Sequence, residues 1–183
     1  MCELLQSAQK QKSDAWLTLA QDIANMSEDK ILFLSFLTVL TELSVNSIER
    51  DYDKLLKQIN PLYSDKAFNI YRPVNSLIDS SIIITYLGNT GREDASPTLK
   101  FFYQSYSKSL LYTIKEVGSR ETQEIFTKVL TSLAYRSAFR ERAIRFIFNN
   151  LRWSRELMKV LYSLADNEET ADSVAHVLTQ QSR

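Results

Sequence analysis

The chain has 183 residues, with 22 lysine and arginine residues against 22 aspartate and glutamate residues, so its formal net charge is zero. A neutral chain has no global field that would draw it towards nucleic acid or anionic lipid. Its single histidine and single cysteine exclude, within one chain, a multi-histidine metal site, a structural zinc site and an internal disulfide. Only three glycines are present, which disfavours Gly-rich phosphate loops and folds with many tight turns. We therefore expect no metal and no cofactor.

The first third of the chain carries helix start and stop signals. A first helix is predicted to open at Ser13. Ser27, followed by two acidic residues, is a typical N-cap and predicts an apolar helix over 28–43 that is buried on most sides. Its apolar run is shorter than the roughly 20 residues that cross a bilayer, so we expect no membrane span. Another helix is predicted over 48–59, ahead of Pro61.

The next segment is predicted as a helix that Ser64 caps and Gly88 ends. Pro73 lies inside its apolar pattern and predicts a break or kink in the helix. Residues 80–87 favour a strand by propensity, but no partner strand is evident, so we interpret them as helix. The stretch 88–96 is the one clear loop and the only candidate boundary within a chain otherwise predicted to be a single domain, 1–183.

Ser96-Pro97 predicts the start of a helix over 97–117, with a broad apolar stripe along one side. Phe101 and Tyr112 fall on the opposite side of this predicted helix, near Lys108. A helix with apolar groups on two sides is either sandwiched within the fold or presents a contact face outward. If that face is exposed, these three residues are the candidate surface for a partner helix or a second copy of the chain.

Further helices are predicted over 120–135, 138–150, 154–165 and 168–180. The segment 136–159 holds seven basic residues, only two acidic ones, and several interleaved aromatic residues. Basic side chains neutralise phosphates and aromatic rings stack on bases, so an anion or nucleic-acid site is the alternative functional interpretation. Its candidate residues are Arg136, Arg140, Arg142, Arg145, Arg152 and Arg155.

An intramolecular explanation of the same arginines stays open. Arg140 falls within the apolar arc of its helix, and a buried arginine needs a carboxylate or several carbonyl groups as partners. The chain beyond residue 160 is acidic and could fold back beside the basic helix, with its carboxylates paired to the arginines. The acidic residues in question are Asp166, Glu168, Glu169 and Asp172.

Together these patterns predict an all-α fold of about nine short helices, in an irregular bundle or a HEAT-like antiparallel array. We expect a non-catalytic interaction, scaffold or adaptor protein that binds a protein partner or itself. A nucleic-acid-binding module is the alternative, and a helical pocket for a small molecule is a third hypothesis. The lone cysteine and an N-terminus without a signal-peptide pattern favour the cytoplasm.

Overall fold

The computed structural model describes residues 18–59, 69–87, 96–113, 120–150 and 155–181. Several predicted features lie outside these described residues: the Ser13 and Ser64 caps, most of the 88–96 loop, the end of the predicted 97–117 helix, and Arg152. The division into domains stays a prediction.

Within these ranges the chain is predominantly helical, which confirms the predicted fold class. The helices are α1 (18–24), α2 (Glu28–Leu40), α3 (Asp53–Ile59), α4 (Tyr71–Asp79), α5 (Gln104–Tyr112), α6 (Arg120–Ala134), α7 (Arg140–Asn150), α8 (Arg155–Ala165) and α9 (Glu168–Gln181). A π-helical segment, Ile48–Tyr52, leads into α3, and the three strands are β1 (Glu42–Ser44), β2 (Ile83–Tyr86) and β3 (Thr98–Phe101).

The apolar helix α2 lies at the centre of the core. All ten residues from Ile31 to Leu40 are buried, as expected for a helix that is apolar on every side. It packs against α4, α5, α6 and α7, so its apolar surface is covered by protein. Among the described residues, no helix combines the length and the apolar character needed to cross a membrane.

The end of α2 differs from the prediction. The helix stops at Leu40 rather than continuing to residue 43, because Thr41 adopts a φ of 66°. A β-branched residue is unfavourable in this region of backbone space, where the helix cannot continue. The chain therefore turns at Thr41 and enters β1.

A small antiparallel sheet with the strand order β1-β3-β2 is the main departure from the prediction. The helical interpretation of residues 80–87 is wrong, because β2 pairs with β3 from Ile83 opposite Phe101 to Tyr86 opposite Thr98. The partner strands β1 and β3 come from segments that the sequence pattern assigns to helices. Leu43, Leu99 and Ile83 lie on the buried face of this sheet and join the core.

Two prolines lie near the starts of elements. Pro73 lies in the first turn of α4, which begins at Tyr71, close to where the sequence predicts a break or kink, and an N–H group in that turn has no intrahelical acceptor. Pro97 precedes β3 rather than a helix, and its carbonyl accepts a hydrogen bond from the Val45 N–H at 2.8 Å. The predicted 97–117 helix thus starts late, at Gln104.

The C-terminal helices follow the prediction closely. α6, α8 and α9 begin and end within about two residues of the predicted bounds, which is the usual uncertainty of a helix end. α7 packs against α6, α8 and α9, and α8 packs against α9. This arrangement brings the acidic last helix beside the basic helix α7.

Candidate functional site

The predicted contact face of Phe101, Tyr112 and Lys108 does not form as one exposed surface. Phe101 is buried, with 9% of its surface exposed, because it lies on a strand whose side chains alternate between the two faces. Tyr112 is half-buried at the end of α5, whereas Lys108 is exposed. The expected face depends on helical periodicity, and residues 98–101 do not have it.

Two neighbouring aromatic residues are exposed instead. Phe102 and Tyr103 are 45% and 58% exposed, and their rings meet edge to face with centroids 4.4 Å apart. Tyr106 follows at 6.3 Å from Tyr103 and packs against the core. We call these three residues the aromatic ladder. The sequence pattern assigns all three to a buried helical stripe, so no sequence signal marks the exposure of the outer two.

Backbone hydrogen bonds hold the aromatic ladder in place. The Phe102 N–H donates to the Ile82 carbonyl at 3.0 Å, which ties the residue to the neighbouring strand segment. Tyr103 has an extended backbone and serves as the N-cap residue of α5. The Tyr106 N–H in turn donates to the Tyr103 carbonyl at 3.0 Å. Both exposed rings therefore project from a hydrogen-bonded strand-to-helix junction.

A cavity of about 400 Å³ adjoins the aromatic ladder. It lies between the last turn of α2, strands β1 and β3, and the first turns of α5. It brings together two of the three predicted contact residues, Phe101 and Lys108, but not Tyr112. We call it the lysine pocket, and the residues that line it are Leu37, Thr38, Thr41, Glu42, Lys100, Phe101, Gln104, Ser107 and Lys108.

The charged groups of the lysine pocket are not paired with one another. Glu42 lies opposite Lys100 in the sheet, but its carboxylate accepts a 2.7 Å hydrogen bond from the Tyr86 hydroxyl. This bond raises the pKa of Tyr86 above its usual value, with smaller contributions from desolvation and from the Glu42 charge. The Lys100 ammonium lies 4.2 Å from the centroid of the Tyr86 ring. Lys100 and Lys108 form no ion pair with any described residue.

A buried hydroxyl in the wall of the lysine pocket lacks a partner among the described residues. Thr38 is only 3% exposed, and its Oγ1 atom makes no hydrogen bond there. Ser35, one turn earlier in the same helix, donates to the Ile31 carbonyl at 2.7 Å, the usual solution for a hydroxyl within a helix. Leaving such a group unsatisfied costs about 1–3 kcal/mol. The strained residue Thr41 lines the same pocket.

The basic segment 136–159 differs from the lysine pocket, because three of its arginines form hydrogen bonds or ion pairs with other parts of the fold. Arg136 donates to the Gln58 side chain and to the Asp51 carbonyl, the latter at 3.0 Å. Burial lowers the pKa of Arg136, and the nearby Asp51 charge offsets part of this effect. This arginine therefore joins the start of the C-terminal helices to α3 and the π-helical segment.

Arg140 makes both kinds of contact that the sequence predicts for a buried arginine. Its Nε donates to the Ala134 carbonyl at 3.0 Å, and a terminal nitrogen donates to the Tyr135 carbonyl at 3.3 Å. The same terminal nitrogen forms an ion pair with Glu169 of the acidic helix α9, at 2.5 Å. The side chain of Arg140 is 17% exposed, so it serves the fold rather than a ligand surface.

Of the remaining described arginines in this segment, one contacts neighbouring side chains and two are exposed to solvent. Arg145 binds Glu141 on its own helix and the Gln180 side chain on α9. The bond from Arg145, followed by its charge, lowers the pKa of Glu141 below the usual carboxyl value. Arg142 and Arg155 are exposed and have no partner among the described residues. The described arginines thus do not form one continuous free patch.

The described ranges contain no group of three or more side chains suited to hold a metal ion. No family model, curated protein or solved structure matches this chain. The candidate site is therefore defined by its own geometry: the lysine pocket and the aromatic ladder beside it.

Proposed function

We propose that this chain is a non-catalytic interaction protein that binds a partner polypeptide across the aromatic ladder and the lysine pocket. The observation that carries the proposal is the pair of solvent-exposed rings of Phe102 and Tyr103, which contact each other edge to face. Aromatic residues of this kind are enriched among the residues that dominate binding energy at protein interfaces. They bury a large apolar area with little loss of side-chain entropy.

The position of the rings supports this function. An aromatic side chain can bury about 150–250 Å², so two rings that are roughly half exposed leave a substantial apolar area for a partner to cover. The junction between β3 and α5 is fixed by hydrogen bonds to the Ile82 and Tyr103 carbonyls. A contact surface that is already ordered loses less entropy on binding, which favours affinity.

A random peptide library displayed on phage tests the proposal, because the selection requires no named partner. Peptides are selected on the full chain, synthesised, and measured by fluorescence anisotropy against Tyr103→Ser and Tyr162→Ser. Tyr162 is the matched control because it is also an exposed tyrosine, 67% exposed, but lies on α8. We expect Tyr103→Ser to weaken binding by about tenfold, the effect of losing one interface anchor, while Tyr162→Ser has no effect.

Three outcomes of the experiment contradict the proposed function. One is that no peptide is enriched over an unrelated helical protein. Another is that Tyr103→Ser and Tyr162→Ser bind the enriched peptides equally well. The third is self-association: light scattering that shows a dimer, converted to a monomer by Tyr103→Ser, would assign the aromatic ladder to a second copy of the chain.

We also propose a reducing compartment such as the cytoplasm for this function, because a single cysteine gives no internal disulfide.

A further inference from the structure

We infer that the lysine pocket receives the carboxylate side chain of an acidic partner segment, while a neighbouring apolar residue of that segment packs on the aromatic ladder. This inference rests on the proposed function and adds the chemistry of the partner. Four independent features of the described residues support it: charge, hydrogen-bonding capacity, volume and position.

The charge of the lysine pocket matches one carboxylate. Two lysines and one glutamate line it, so it carries a surplus of one positive charge. Glu42 is already engaged by the Tyr86 hydroxyl, whereas Lys100 and Lys108 have no carboxylate partner among the described residues. A singly charged carboxylate neutralises this surplus. A phosphate, with close to two negative charges, would leave excess negative charge next to Glu42.

The hydrogen-bond donors in the lining of the pocket are the second feature. The Thr38 Oγ1 atom has no partner among the described residues but is itself buried, so the donors that face the open cavity belong to other lining residues. A hydroxyl can donate to a carboxylate oxygen, and the lining residues Gln104 and Ser107 offer donors. Charge-assisted hydrogen bonds of this type are stronger than neutral ones.

The volume of the pocket also suits a side chain rather than a bare ion. A cavity of about 400 Å³ is within the range of pockets that hold organic groups and exceeds what one small anion fills. Its wall is mixed, since Leu37 and Phe101 contribute apolar surface beside the polar groups. The methylene groups of a glutamate or aspartate can contact that apolar surface while the carboxylate reaches the lysines.

The position of the two surfaces allows one segment to occupy both. Phe101 and Gln104 line the pocket, and the exposed Phe102 and Tyr103 lie between them in the chain. Consecutive Cα atoms are about 3.8 Å apart, so each exposed ring is attached one residue away from the pocket lining. The two surfaces therefore share one stretch of backbone, and we assign both to a single partner segment.

The same peptide selection also tests this inference. We expect enriched peptides to place an aspartate or glutamate within a few residues of an aromatic or aliphatic residue. Replacing that acid by its amide should weaken binding by about tenfold, the loss of a charge-assisted contact. Lys108→Glu should weaken binding of the acidic peptide to a similar extent and restore binding of a peptide in which lysine replaces the acid.

Matched controls separate the pocket from general charge effects. Lys128→Glu changes the net charge by the same amount, and Lys128 is also exposed, but it lies on α6 away from the pocket. It should leave affinity unchanged, as should amidation of the peptide C-terminus, because we assign a side-chain carboxylate.

Each contrary result has a distinct meaning. Enriched peptides without an acid, equal effects of Lys108→Glu and Lys128→Glu, or loss of binding on C-terminal amidation overturn the carboxylate inference. If these peptides still depend on Tyr103, the proposed function stands. If no peptide is enriched, or binding is insensitive to Tyr103→Ser, the proposed function fails and the inference fails with it.

Discussion

Replacement of Arg140 by methionine should destabilise the fold, whereas the same replacement two residues later should not. Arg140 donates to the carbonyl groups of Ala134 and Tyr135, which close the end of α6, and pairs with Glu169 on α9. Methionine has an unbranched, flexible side chain and no hydrogen-bond donor at its end, so Arg140→Met removes these three contacts while it keeps most of the packing.

The expected loss of unfolding free energy follows from how exposed each hydrogen-bond or ion-pair partner of Arg140 is. Arg140 is 17% exposed but Glu169 is 62% exposed, so solvent screens the ion pair and its contribution is less than about 1 kcal/mol. The two bonds to backbone carbonyls are more sheltered, and bonds from a charged donor contribute about 1.5–3 kcal/mol each when buried. Because Arg140 keeps some access to water, we expect a total loss of about 2–4 kcal/mol of unfolding free energy for Arg140→Met.

Urea unfolding followed by far-UV circular dichroism measures this difference. Arg142→Met is the control, since Arg142 is exposed on the same helix and has no partner among the described residues; it should change stability by no more than about 0.5 kcal/mol. Glu169→Gln should cost less than about 1 kcal/mol. If Arg140→Met costs no more than Arg142→Met, or if Glu169→Gln costs as much as Arg140→Met, the assignment of Arg140 to helix-end carbonyls is wrong.

Two further predictions concern a turn and a titration. Ser81 has a φ of 56°, which disfavours any residue with a Cβ by about 1 kcal/mol, so Ser81→Gly should raise the free energy of urea unfolding by about that amount. Ser80→Gly, at a φ of −81°, should bring no gain, and equal effects would contradict this reasoning. The hydrogen bond to the Glu42 carboxylate raises the pKa of Tyr86 by favouring the neutral hydroxyl. The contribution of this bond to the stability of the fold is therefore complete below the ordinary tyrosine pKa and is lost as the pH rises through the raised pKa. In Glu42→Gln, the tyrosine signal assigned to Tyr86 by NMR should titrate at lower pH than in the unaltered chain; an unchanged midpoint would contradict the bond.

The C-terminal helices are predictable because their signals are local. α6 begins and ends close to the predicted 120–135, since its apolar residues repeat at helical spacing along one face. The boundary between α8 and α9 falls at Asp166 and Asn167, as the polar pair predicts. The Asn167 side chain accepts a 3.0 Å hydrogen bond from the Glu169 N–H, so the start signal acts through a contact within two residues.

The sheet is not predictable because its strands depend on distant partners. Each strand has three or four residues, too few to show a period of two against helical spacing. β1 pairs with β3 across more than 50 residues of chain, for example Leu43 opposite Leu99. Residues 80–87 carry the correct β propensity, and the apparent lack of a partner strand leads to the wrong assignment.

The ends of α2 and α4, which precede β1 and β2, are also hard to predict, because the residues that end these helices are not glycines. α4 ends in a pattern in which the Ile82 N–H donates to the Leu77 carbonyl at 3.0 Å and the Ser81 N–H donates to the Ile78 carbonyl at 2.9 Å. The left-handed residue of this motif is usually glycine, but here it is Ser81. α2 likewise ends at Thr41, again without glycine. A low glycine count therefore does not mean few left-handed turns.

Two departures from local preference, at Thr38 and Thr41, lie at the candidate site. Thr41 adopts an unfavourable backbone conformation that ends α2, and this ending places Glu42 on β1 opposite Lys100. One turn before it, Thr38 keeps a buried hydroxyl without a partner among the described residues. Strained backbone and unsatisfied polar groups persist only where the surrounding fold compensates for them, and they cluster at functional sites. Thr38 and Thr41 line the pocket that also holds Lys100 and Lys108. Ser81, which is also left-handed, and Ser109, whose hydroxyl also lacks a partner among the described residues, do not line it, so such departures accompany the proposed binding surface without being confined to it.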